Sequence, residues 1–554
     1  MKRRSLLATL GALPVAPALL HGAGPASLPE VLRPPDHVHA FDESRSIRLE
    51  RHGFRWSAGD IEVTTEPHLS TLPIQVAAPR TGLTRVRLRW NGAVRADGRF
   101  LGDHWERSYG DLEWRGHVAD RRLPWYFLAH AGGATQGVGV QTGASSVAFW
   151  EVDVAGLTLW LDVQNGGSNV QLGERRLAAA TVVAVNGQSG ENALQVARRL
   201  CRAMCDKPRM PSQPVYGSNN WYYTYGRNLT ADALLRDTDL VVELSPPASR
   251  NRPFMVLDMG WEEAEEGAGP TNRTNRRFPD MAALAAEMKK RGARPGIWVR
   301  PLLTVEKLPD AWLLHGKQAG GGIQPPFKVI DPSVPEALAH VGQSIRGLQQ
   351  WGFELIKHDF STFDLTGRWG FQMVNELTDR GWYFADRGRT TAEIVRALYE
   401  TIRASAGPAE LIGCNTIGHL GAGLFEMQRI GDDNSGSEWS RTRKMGVNTL
   451  AFRLAQHGTF FAADADCVPV TKEIPWDLTR QWLDLVARSA TPLFVSADPA
   501  ATGEREKKAL KAALAIAAAP PQGAEPLDWM ETTVPARWRG PDGVSEYEWY
   551  ADEA

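Results

Sequence analysis

The sequence predicts an α/β fold: a (β/α)₈ TIM barrel preceded by an N-terminal β-sandwich domain and followed by a short β-like C-terminal extension. Three observations carry that reading. Period-two alternation of apolar and polar residues dominates up to about residue 190. Beyond residue 214, short apolar strands alternate with amphipathic helices through eight units. Acidic and aromatic residues then recur at the carboxyl ends of those strands, where a barrel of this kind carries its chemistry.

The elements follow in order. Residues 1–26 open on Met1, Lys2, Arg3 and Arg4, run through an apolar stretch from Leu6 to Leu20, and end in small residues. Twin arginines before an apolar stretch read as a signal peptide of the twin-arginine type, so export to the periplasm or beyond is expected. Elsewhere no run of about 20 apolar residues occurs, so no membrane span is expected after cleavage.

Residues 27–190 hold segments such as 84–90 and 157–163, alternating and broken by Gly, Asp and Asn, which is sandwich texture. No acidic or histidine cluster in this part points to chemistry. Residues 191–214 read as a helix followed by a linker punctuated by Pro208, Pro211 and Pro214. Residues 215–520 supply the barrel. Its strands are predicted at 215–223, 253–261, 294–303, 353–360, 410–414, 427–431, 459–463 and 491–496. Helices are predicted at 231–244, 281–291, 335–351, 391–406, 478–489 and 504–518. Repeated β-α-β units imply right-handed parallel crossovers. Residues 521–554 are too short for a further full domain.

Composition narrows the function. A net charge of −2 over 554 residues offers no basic surplus for nucleic acid. Four cysteines with no Cys-x-x-Cys pair, and no His-Glu-x-x-His, point to neither a disulfide framework nor a transition-metal site. Cys201 and Cys205 read as packing residues on one helix. Twenty tryptophans suit sugar stacking and sandwich packing equally.

Listing the strand ends exposes a constellation. Trp221 and Tyr222 end the first strand, Asp258 the second, Trp298 lies on the third, and Lys357 and Asp359 end the fourth. Cys414 ends the fifth, Arg429 and then Asp432 and Asp433 the sixth, Asp464 and Asp466 the seventh, and Asp498 the eighth. One such Asp is as readily a turn former or a helix cap. Together they crowd carboxylates and cations on one rim, which drives pKa values apart.

Lys357 and Asp359, two apart on a strand, share a face, so the lysine is expected to keep Asp359 ionised as a nucleophile requires. A second carboxylate across the mouth would protonate a leaving oxygen, which is the requirement of glycoside hydrolysis. A metal-assisted hydrolase built on Asp464, Asp466 and Asp498 is the rival chemistry, and it lacks nearby His ligands. His358 falls between two inward positions and should face the helices. His419 and His457 read as packing residues.

These motifs carry a resemblance. Residues 213–520 resemble the α-galactosidase clan of glycoside hydrolases, closest to the melibiase family, family 36. The residues that carry it are SNNWYYTYGRNLT (218–230), VLDMGWE (256–262), FPDMAALAAEMKKRGARPGIWVRP (278–301), IKHDF (356–360), LIGCN (411–415), QRIGDD (428–433), DADC (464–467) and TPLFVSAD (491–498). The resemblance implies a retaining exo-acting α-glycosidase without a cofactor, acting on an oligosaccharide or glycoside. Asp359 would be its nucleophile and Asp433 its acid/base, Asp432 being the weaker candidate. Asp258, Trp298, Lys357, Cys414 and Arg429 would contact the sugar, with Trp221 and Tyr222 walling it. One position departs: the family's paired aspartates after the second strand become Asp258 and Met259 here. Either Glu262 or Glu263 replaces the lost carboxylate, or the glycone differs, as in a β-L-arabinopyranoside or an α-N-acetylgalactosaminide. A catalytically silent sugar-binding relative is the remaining alternative.

Overall fold

The computed structural model describes residues 28–552 except 228, 248–249, 315–324 and 375. The expected signal segment lies outside the described residues. Thirteen strands between His37 and Asn186 form one continuous antiparallel sheet. Alternation decides what each strand buries: Arg85–Asn91 sinks Val86, Leu88 and Trp90 and turns its arginines outward. The sheet curls over so that its halves meet, with Phe127 5.8 Å from Trp150. The two layers of the expected sandwich are therefore halves of a single sheet.

A helix at Ala193–Met204 leads out of this sheet. Asn192 and Gln195 close its first turn with a capping box, and its apolar face carries Leu194, Leu200, Cys201 and Met204. Both Cys201 and Cys205 are buried thiols.

The barrel strands are β1 (Tyr216–Asn219), β2 (Phe254–Leu257), β3 (Arg294–Val299), β4 (Leu355–His358), β5 (Glu410–Gly413), β6 (Met427–Arg429), β7 (Ala462–Asp464) and β8 (Leu493–Ala497). Neighbours from β1 to β7 pair in parallel, and β8 pairs with β1. Several expectations need correction. The second and third strands stop at Leu257 and Val299, short of their expected ends at 261 and 303. The first strand stops at Asn219, because the Asn219 side chain accepts from Trp221 N at 2.8 Å and turns the chain into a short helix, Trp221–Thr224. The seventh strand is broken. It stops at Asp464, turns through Asp466 at φ 71°, and resumes as Val468–Val470, which pairs with β8 and closes the barrel.

Val215, Phe254, Val256, Leu355, Ile412, Met427, Ala462 and Phe494 fill the barrel beneath Tyr222 and Cys467. Helices at Ala231–Leu244, Met281–Arg291, Pro335–Gln350, Thr391–Ser405, Trp476–Arg488 and Glu504–Ala518 surround it, each within two residues of its expected bounds. After β6 stands one more helical stretch, not expected from the sequence: α-helical at Trp439–Thr442 and Thr449–Arg453 and widened to a π-helix between them at Arg443–Asn448. The C-terminal residues form a three-stranded sheet anchored by buried Trp538 and Trp549. Among the described residues, no helix is long and apolar enough to cross a membrane.

Candidate active site

Period two carries the apolar floor of the barrel into a polar layer above it. Phe254 and Val256 lead to Asp258, Leu355 to Lys357 and Asp359, Ile412 to Cys414, Met427 to Arg429, and Ala462 to Asp464. These side chains converge at the carboxyl end of the strands.

Asp359 is buried and held on both oxygens. Its Oδ1 accepts from Phe360 N at 2.7 Å and Asn415 N at 2.9 Å, and its Oδ2 from Trp298 Nε1 at 3.0 Å. Phe360 sits at φ 62°, a left-handed conformation that aims its N–H back at the carboxylate. Arg300, paired with buried Asp364 at 2.6 Å and stacked 4.2 Å over the Phe360 ring, fixes that turn. Burial alone would raise the pKa of Asp359. Arg107, Lys357 and the Trp298 hydrogen bond overcome it and bring the value down to about 2.

Lys357 does not pair directly with Asp359, as its place on the strand suggests. Its Nζ donates to Asp258 Oδ2 at 2.8 Å, where Asn219 also donates at 2.7 Å. Lys357 reaches Asp359 only through space, and Arg107 is the stronger influence.

Asp433 follows β6, one strand beyond β5 from Asp359, its side chain 43% exposed. Arg429 Nη1 lies 3.1 Å from its Oδ1 and Arg107 Nη1 3.6 Å. Burial opposes its charge, yet Arg107, Arg429 and Lys357 together lower its pKa, while the charge of Asp359 works the other way. Asp432 is committed elsewhere, clamped between Arg107 at 2.7 Å and Arg441 at 2.6 Å.

Arg429 is shared by three carboxylates: Asp433, Asp464 at 3.5 Å and Asp466 at 2.6 Å. Tyr222 donates its hydroxyl to Asp466. Asp466 is pushed upward, chiefly by burial. With Asp464 and Asp466 engaged by Arg429, and Asp498 capping Ala500 N at 2.8 Å, the three residues of the metal-assisted alternative are spent on other work.

Trp221 is half-buried against the inner cluster and meets Tyr225 edge-on at 5.6 Å. Cys414 is buried, with its Sγ 4.0 Å from Arg107 Nη1. His358 points away from the axis, between Tyr399 and Phe425. At the departure, Met259 is half-buried and Glu263 is exposed beside Arg273. Glu262 is buried with Oε2 accepting from Gly260 N at 2.9 Å. Burial first, with Asp258 adding, drives its pKa up to about 7.

Two residues that the sequence reading passed over complete the site, and both come from the sandwich. Arg107 is described above. Glu106 is buried and accepts from Asn415 Nδ2, the Tyr109 hydroxyl and, at 3.0 Å, Gly370 N. Their signal was local: residues 103–111 pack charged and aromatic residues without alternation inside an otherwise alternating domain.

No family model and no curated protein matches the sequence. Solved structures do. An α-galactosidase from Thermus thermophilus, in complex with p-nitrophenyl α-D-galactopyranoside, superposes with a TM-score of 0.61 at 17% identity, covering 94% of this chain and 100% of that one. The fold is that of the family 36 α-galactosidases. A family 36 α-galactosidase from Geobacillus stearothermophilus matches with a TM-score of 0.56 at 15% identity over 88% of this chain and 76% of its own. An α-galactosidase from Lactobacillus brevis matches at 0.53 and 13% identity over 89% and 69%. At such identities it is the architecture that is shared.

Proposed function

We propose that the chain is an exported, retaining, exo-acting α-glycosidase of the α-galactosidase type. One observation carries the reading: the anchored carboxylate of Asp359, just past β4, and the part-exposed one of Asp433, just past β6, lie on one rim close enough for the charge of the first to act on the second. The fold supports it, since its relatives of known structure include α-galactosidases solved with stachyose and with raffinose.

In this reading Asp359 attacks the anomeric carbon and Asp433 gives its proton to the leaving oxygen. The charge on Asp359 favours a proton on Asp433, against the three cations that lower its pKa overall. Once Asp359 is esterified by the sugar that charge is gone, and Arg107, Arg429 and Lys357 hold Asp433 ionised as the base that activates water. Asp258, paired with Lys357, and Trp298 bind the sugar, and Cys414, Trp221 and Tyr222 line it. With Met259 in the place of a second carboxylate, the glycone in this reading is terminal α-linked galactose or a related sugar.

The test is a screen of aryl glycosides: α-galactoside, α-N-acetylgalactosaminide, β-L-arabinopyranoside and α-glucoside. Turnover of at least one is expected, and Asp359→Ala should reduce it by several orders of magnitude. An NMR time course should show the retained anomer first. No turnover on any of them would favour the silent binding relative, and an inverted first product would exclude the two-step route.

A further inference from the structure

Residues 103–112 leave the sandwich and lie across the rim of the barrel. Ser108 donates to Ile430 O at 2.9 Å and accepts from Asp432 N at 2.8 Å, extending the path of β6 by one bridge. Asn448 holds Leu112 through both its amide groups, accepting from Leu112 N at 3.2 Å and donating to Leu112 O at 2.8 Å. Gly110, at φ 71°, passes so near Lys444 that an added Cβ would stand 2.7 Å from its backbone, so only glycine permits this approach.

The docked segment presents Arg107 to the site, 3.6 Å from Asp433 and near enough to Asp359 for its charge to be felt there. Its guanidinium is buried, 2.7 Å from Asp432, 3.6 Å from Asp433 and 4.0 Å from the Cys414 thiol, with the Trp369 ring 5.2 Å away. Glu106, next to it, grips Asn415, whose backbone N–H holds Asp359. We propose that Arg107, delivered by the sandwich, is the positioning residue that sets the charge state of both Asp359 and Asp433, so that the barrel is an incomplete catalyst without it. Arg107 is the largest favourable influence on the ionised form of each carboxylate.

Other charged groups face the pair. Asp433 also sees Arg429 and Lys357 as cations and Asp359 and Asp466 as anions. Asp359 also sees Lys357. These remain when Arg107 is changed, so its share can be read by difference. The two carboxylates titrate as a pair, and removing a neighbouring cation raises both apparent values.

The proposal rests on the assignment of Asp359 and Asp433 above, and its test is chosen to separate the two. The pH profile of kcat/KM is measured on whichever aryl glycoside the screen selects. Arg107→Gln should move both limbs to higher pH by on the order of one unit. Arg107→Lys should keep them in place even if kcat falls. A lower kcat with unmoved limbs in Arg107→Gln would mean a merely structural role and would overturn the proposal.

If Arg107→Gln does not fold, Asp432→Asn carries the opposite sign. It removes an anion beside the guanidinium and should move the limbs to lower pH, and unmoved limbs would overturn the proposal equally. The same shifts are readable without turnover, by NMR titration of ¹³C-carboxyl-labelled aspartate assigned with Asp359→Asn and Asp433→Asn. An inactive wild type with shifted titrations would sink the functional reading and leave this one standing.

Discussion

Glu262 shows how a single residue registers the environment of the site. Its carboxyl is buried behind Asp258, with Oε2 bonded to Gly260 N and Oε1 without a partner, so its neutral form is preferred up to about pH 7. An unfolded glutamate titrates near 4.5. Its folded pKa is the higher one, so its contribution to stability is complete below pH 4.5 and is lost as pH rises through 7. Glu262→Gln keeps an acceptor for Gly260 and cannot ionise. Relative to wild type it should gain up to roughly 3 kcal/mol between pH 4.5 and 8. Urea unfolding at both pH values measures this, and an equal difference at the two would refute it.

Residues at this scale were legible where a strand's alternation fixes direction. Asp258, Lys357, Cys414 and Arg429 each follow a buried apolar residue two positions earlier, and Asp359 follows Lys357 on the same face. Arg107 and Glu106 were not legible. They lie in an irregular segment more than 300 residues from Cys414 and Asn415, their neighbours in space. No local rule reports such a contact.

Among the elements, segment 103–112 depends on Arg453 at the end of the Thr449–Arg453 helix. Its guanidinium donates to Asp103 Oδ1 at 2.6 Å, to Glu106 O at 2.6 Å and to Ile430 O at 2.9 Å, so it joins the segment to β6. Arg453→Met would leave the buried Asp103 carboxylate with Gln456 as its remaining side-chain partner. A loss of about 3–5 kcal/mol is expected for a broken buried pair. Asp103→Asn combined with Arg453→Met should lose less than the sum of the single changes, because the stranded charge is gone. Thermal unfolding of the four proteins completes the cycle, and strict additivity would show that the pair does not act as a unit.

The long helices were readable from periodicity, and the structure caps three of them with Thr230, Asp280 and Thr390. The broken seventh strand was not. Its kink is held by tertiary bonds from Asp466 to Tyr222, Arg429 and Asn434 N, which override local strand preference.

At the scale of the whole molecule, the seam between sandwich and barrel is the part of the fold with most at stake, because Glu106 and Arg107 reach the site across it. His419 sits in that seam. Its ring stacks on Trp125 of the sandwich at 4.5 Å and meets Phe460 of the barrel edge-on at 5.9 Å. Burial is the leading cause that drives its pKa from 6.5 down to about 3.

For a base with a depressed folded pKa, the stability contribution is full above the unfolded value of 6.5 and is lost as pH falls toward 3. At pH 4.5 the cost is about 2–3 kcal/mol for this residue. His358 and His457, each brought down to about 4, add to it in the same direction. His419→Phe keeps the aromatic stack and removes the proton site. It should match wild type within about 1 kcal/mol at pH 8 and exceed it by about 2–3 kcal/mol at pH 4.5. Calorimetry across that range measures the difference. Parallel curves for the two proteins would show that acid does not enter through this seam. A difference that opens in acid and closes above pH 6.5 would show that it does.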